Sequence, residues 1–236
     1  YSGPHYQFNL RFSDQVFVDD KCSKHTVKDR DEDGNVLSSH VVSVFENTCP
    51  HIAMNGKEKL AIELVKEALP KGHGVGFYVQ SSGGDNTISK RLKQHIEANV
   101  PDAKVCVLES TVDTIQREQW LDRHVSRGYN VLITNPMIVE TGLDLLYFNE
   151  LYFVEPEHRL RTLEQAAGRS YRLPPTPPCT VGYMAYKDTV QESAIQLMMA
   201  KKQASAICRG RASSSKSLNL SSSLQSAIQK LERAGG

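Results

Sequence analysis

The chain has 236 residues, with 28 lysines and arginines against 27 aspartates and glutamates, for a net charge of +1. So balanced a charge excludes a global electrostatic field for nucleic acid, and any basic site has to be local. Hydrophobic residues make up 39% and charged residues 23%, ordinary for a globular protein, and no apolar run approaches the roughly 20 residues of a membrane helix. No secretory pattern opens the chain. It begins at Tyr1, so a piece of a longer protein is expected, acting in the cytoplasm or, in a eukaryote, the nucleus. Five scattered cysteines (22, 49, 106, 179 and 208) suit a reducing compartment better than a disulfide framework. The pairs Cys22-x-x-His25 and Cys49-x-His51 match no common zinc spacing, and no metal site is expected there.

Residues 1–56 are polar, with short apolar pieces at Tyr6-Phe8-Leu10, Val16–Val18 and Val41–Phe45, and Asp33-Gly34 is a hairpin signal. They predict a small β-rich N-terminal extension. Leu60, Ile62, Leu64, Val65 and Leu69 predict a helix over Lys57–Leu69, stopped at Pro70. Strands and helices then alternate. Strands are predicted over 75–79, 105–108, 131–133, 151–154 and 180–185. Helices are predicted over 87–98, 111–126, 160–173 and 190–208. Five apolar strands separated by helical segments imply an α/β fold with a parallel sheet and helices on both faces, spanning residues 57–210. Residues 211–236 read as a serine-rich linker and one short amphipathic helix.

Within the predicted helix 160–173, Gln165, Gly168, Arg169 and Arg172 fall at i, i+3, i+4 and i+7, on one face. Leu160, Leu163 and Ala167 project from the other side. A glycine inside a helix costs about 1 kcal/mol against alanine, and paired guanidiniums beside bare backbone suit a phosphate. A solvated charged face would produce the same spacing.

The surrounding motifs decide between these readings. Phe77-Tyr78-Val79-Gln80, then Gln116-Arg117 with Arg127–Thr134, then Thr141-Gly142-Leu143-Asp144-Leu145, and finally Gln165-x-x-Gly168-Arg169-x-x-Arg172, stand in sequence. In this order they resemble the second RecA-like lobe of a superfamily 2 helicase or DNA translocase. Val181–Glu192 and Lys201 are similar to the strand and trailing helix of the Swi/Snf-like branch. Two features depart from that branch: Leu173-Pro174-Pro175-Thr176-Pro177-Pro178 replaces its basic-Gly-Gln continuation, and the fifth motif ends Gly-Leu-Asp.

The resemblance implies an ATP-dependent motor. Arg172 would be the arginine finger, Arg169 its companion, and Gln165 would position the attacking water. Gly142, Asp144 and Gly168 would contact ATP, with Asp144 on the ribose; helix capping or loop solvation would also account for Asp144. Gln80, Ser81, Ser82, Thr134 and Asn135 close two strands with short polar donors suited to phosphates of a nucleic acid read without regard to sequence. Lys90, Arg91 and Lys93 would add charge, or else form a solvated helix face. No Gly-x-x-x-x-Gly-Lys-Ser/Thr occurs; Asn55-Gly56-Lys57-Glu58 lacks the leading glycine and the hydroxyl for magnesium. ATP and Mg2+ are therefore expected mainly on a first lobe absent from this chain, which alone is expected not to turn over ATP. The partners implied are that lobe and DNA, with a further protein partner through residues 1–56, which would be an extension or an inter-lobe insertion. A stand-alone nucleic-acid-binding or scaffold module is the alternative, and an RNA helicase lobe the variant within the family.

Overall fold

The structure, a computed structural model, describes residues 23–31, 35–45, 53–80, 88–140, 143–155 and 179–208. The residues flanking Asp33-Gly34 pair as a hairpin. Strands β1 (Ser23–Arg30) and β2 (Val36–Phe45) run antiparallel, with Arg30 opposite Val36. The pairing closes where Asp31 and Asn35 exchange bonds, Asp31 N–H to the Asn35 carbonyl at 3.0 Å and Asn35 N–H to Asp31 Oδ1 at 2.7 Å. The expected strands before residue 23 lie outside the described residues.

Helix α1 (Gly56–Ala68) starts on a capping box. Asn55 Oδ1 accepts from Glu58 N–H at 2.9 Å, while Asn55 N–H donates to Glu58 Oε2 at 2.7 Å. A 3-10 turn over Leu69–Lys71 ends on Gly72 at φ 74°, a left-handed position that glycine occupies without strain. Then follow β3 (Gly74–Tyr78), α2 (Ile88–Asn99), β4 (Val105–Leu108), α3 (Arg117–Ser126), β5 (Val131–Thr134), α4 (Pro136–Glu140), β6 (Phe148–Phe153), β7 (Thr180–Tyr183) and α5 (Val190–Cys208).

Beyond shifts of one or two residues at element ends, the described elements depart from the sequence reading in three places. The helix expected from residue 111 begins at Arg117, because Asp113 accepts from Ile115 N–H at 2.9 Å and caps a 3-10 turn first. Short α4 was not anticipated; Pro136 stands at its start and Asn135 Oδ1 caps Met137 N–H at 2.9 Å. Strand β6 begins three residues before the predicted start, taking in Glu150. That charge is only 8% exposed, and it is tolerated because His73 and Tyr152 bond it at 3.1 and 2.7 Å.

The five later strands form one sheet in the order β4-β5-β3-β6-β7, each neighbouring pair parallel. Alternation along the strands divides the core in two. Val75, Phe77, Val105, Val131, Ile133 and Tyr152 pack with Ala61, Ile62 and Val65 of α1 and Leu92 and Ile96 of α2. Tyr78, Cys106, Leu108, Leu132, Leu151 and Phe153 face the opposite way, with Leu121 of α3, Ile138 and Val139 of α4 and Met198 of α5. Helices thus cover both faces, as the sequence implied. Among the described residues, no helix is long and apolar enough to cross a membrane.

Candidate functional site

Because the sheet is wholly parallel, all five strands end at one edge, where loops and not ladders take over. Chain paths diverge there: β3 leads toward β4 at one side, whereas the chain after β6 returns as β7 at the other. Adjacent strands whose exits diverge leave a crevice between their ends, the common ligand position of open α/β sheets.

At this crevice the regular ladder stops and side chains replace it. Val79 N–H still donates to the Thr134 carbonyl and Val154 N–H to the Tyr78 carbonyl, both at 2.9 Å. One residue on, Gln80 N–H donates to Glu155 Oε2 at 2.6 Å, and the Gln80 carbonyl accepts from Asn135 Nδ2 at 2.5 Å. The ends of β3, β5 and β6 are therefore joined through Gln80. Lys57, at the start of α1, donates to the Val154 carbonyl at 2.5 Å and lies 5.1 Å from the centre of the Tyr186 ring. Its ammonium is buried within the lobe, so Gly56-Lys57 is not a phosphate loop.

The predicted nucleic-acid contacts separate into distinct roles. Gln80 is half-buried at the crevice, while Ser81 and Ser82 lie outside the described residues. Thr134 is 1% exposed and its hydroxyl donates to the Leu108 carbonyl at 3.1 Å. Asn135 commits its amide donor to Gln80 and its oxygen to the α4 cap. In this arrangement the side chains of Thr134 and Asn135 hold strand ends together. Burial of short polar side chains at strand ends is decided by the neighbouring carbonyls, which sequence does not display. Arg91 is likewise turned to Glu58, with Nε 2.5 Å from Oε1, and Lys93 pairs with Glu97 at 3.8 Å.

Asp144 is half-buried between buried Leu143 and Leu145, in the segment between α4 and β6. Gly142, Gln165, Gly168, Arg169 and Arg172 lie outside the described residues. Among the described residues no three His, Cys, Asp or Glu side chains converge on a metal position.

Two residues of the edge were not assigned roles from sequence. Glu155 is one; a carboxylate that ends the apolar run 151–154 was the available signal. Arg117 is the other. Its guanidinium, 9% exposed, donates to the Val112 carbonyl at 3.1 Å and the Ile138 carbonyl at 3.2 Å, tying the loop after β4 to α4.

No known protein family matches the chain, and no curated protein matches it in sequence. A solved structure does: the C-terminal part of the Fun30 ATPase domain, with a TM-score of 0.54 at 16% identity, covering 77% of this chain and 53% of that one. The fold is RecA-like. That likeness concerns the path of the backbone, and the chain spans about half the length of the structure it matches. With the sheet order and the small antiparallel N-terminal sheet, it makes this chain an α/β RecA-like lobe with a β-hairpin extension.

Proposed function

We propose that this chain is the second motor lobe of an ATP-dependent DNA helicase or translocase, in the Swi/Snf-like branch of superfamily 2. The observation that carries the proposal is the crevice edge: the ends of β3, β5 and β6, where the helicase-like motifs fall in sequence, are joined through Gln80. The Fun30 structure, itself part of an ATPase domain, has the same fold. Arg172, with Arg169 beside it in sequence, supplies positive charge to the transferring phosphoryl group, and Gln165 orients the attacking water. Asp144 and the glycines 142 and 168 take the rest of the nucleotide. ATP phosphates and Mg2+ are bound mainly by a first lobe elsewhere in the protein. Phosphoryl transfer needs positioning and charge more than covalent chemistry, so a lobe that brings only arginines still governs the rate.

The test is DNA-stimulated ATP hydrolysis by the full-length protein, wild type against Arg172→Ala. Turnover is expected to fall by about 10³-fold or more, with DNA affinity retained. Wild-type protein without turnover, or Arg172→Ala with unchanged turnover, would move the assignment to a nucleic-acid-binding module.

A further inference from the structure

We propose that a cavity at the starts of the strands, on the edge opposite Gln80, binds a small aromatic amine through His73 and Asp102, independently of any motor activity. The cavity measures about 840 Å3 and is lined by described residues. It opens between Gly74 and Phe148, the first residues of β3 and β6, and Asn130, just before β5. That volume suits a small organic molecule.

His73, which lines the cavity, is held from behind. Its Nδ1 lies 3.1 Å from Glu150 Oε1, and the Tyr152 hydroxyl donates to Glu150 Oε2 at 2.7 Å. Burial pushes the Glu150 carboxyl up, yet these two bonds and the charge of Lys71 outweigh it, so the group is ionised at neutral pH. An ionised carboxylate only accepts, so Nδ1 carries the proton, and in the neutral ring Nε2 is then an acceptor. A carboxylate behind an imidazole fixes its orientation as well as its tautomer. Among the described residues nothing bonds Nε2.

The rest of the wall uses up its donors and leaves acceptors. Asn130 takes the Lys104 N–H on its side-chain oxygen and gives its amide to the Asp102 carbonyl, both at 2.9 Å. Asn99 gives its amide to the His95 carbonyl at 2.8 Å, and Lys66 pairs with Glu63 at 3.0 Å. The Asp102 carboxylate, in contrast, is exposed at the rim, and no ion pair or hydrogen bond engages it among the described residues. Helices α1, α2 and α3 also end beside the cavity, and each helix C-terminus carries roughly half a negative charge. A cation rich in N–H donors complements this wall; an anion does not. Tyr147, 54% exposed, offers a ring face to a flat apolar body, and an ammonium near such a face is attracted to it.

The test is calorimetric titration of the full-length protein with tryptamine, an indole bearing an ammonium, and with indole-3-acetate as its anionic counterpart. Tryptamine is expected to saturate one site with a Kd below about 1 mM, and indole-3-acetate to bind about tenfold more weakly or worse. Asp102→Asn and His73→Phe are each expected to weaken tryptamine about tenfold, the cost of one charge-assisted bond. Asp102 is exposed, so its variant keeps the test decisive even where His73→Phe lowers the melting temperature. Absence of saturable binding to the wild type overturns the proposal. Equal affinity for indole-3-acetate does so too, because the cavity then selects no charge. Wild-type affinity in both variants places tryptamine elsewhere and likewise overturns it. None of these outcomes touches the motor reading, which is tested by turnover.

Discussion

Glu150 shows how one buried charge is made compatible with a strand. Burial pushes its carboxyl up, but the bonds from Tyr152 and His73 and the nearby charge of Lys71 outweigh burial and hold it below the ordinary carboxylate range. A carboxyl lowered in the folded state stabilises the fold above its unfolded value, near about 4.3. That contribution is lost as pH falls through the lower folded value. The urea midpoint of this chain is therefore expected to drop as pH is taken from about 5 to about 3, with part of the drop absent in Glu150→Gln. Identical pH profiles for the two proteins would assign the acid sensitivity to other carboxylates.

At the scale of elements, β7 is the edge strand beside β6, and its closeness depends on Gly182. A Cβ at that position would lie 2.5 Å from Cδ1 and 2.7 Å from Cε1 of Tyr152. The Tyr152 ring is itself constrained, stacked 5.9 Å from Phe77 and bonded through its hydroxyl to Glu150. Gly182→Val is therefore expected to cost about 1–3 kcal/mol by overpacking, seen as a lower denaturation midpoint. An unchanged midpoint would mean that β7 moves away from β6 without loss. The other elements follow from local chemistry: α1 from its capping box, α4 from Asn135 and Pro136, and the delayed start of α3 from the Asp113 cap.

For the whole molecule, the consequence of the proposed function is dependence on a first lobe. The chain spans about half of the solved structure it resembles, and Lys57, the nearest candidate for a phosphate-binding lysine, is turned into the lobe. Purified alone, the 236-residue chain is expected to show no ATP turnover above background, and adding DNA should not change that. Turnover that is robust in the isolated chain and indifferent to Arg172→Ala would sink both the lobe assignment and the arginine roles.

Alternation and composition determined the α/β class, because strands buried on both faces must read as continuous apolar runs and cannot be mistaken for solvated segments. Val75–Val79, Val105–Leu108 and Val131–Ile133 were legible for that reason, as was the hairpin about Asp33-Gly34. Motif spacing also singled out Gln80, which the fold places at the end of β3. Strand order is different in kind: that β3 lies between β5 and β6 depends on pairings between residues about 55 to 75 positions apart. Nor does sequence show which polar side chains at the strand ends turn inward. Thr134, Asn135, Lys57 and Glu155 have the composition of surface residues, and only the carbonyls and N–H groups left unpaired where the sheet ends draw them into the lobe. A buried donor or acceptor must find a partner. At the end of β3, that requirement decided which residues hold Gln80 in place.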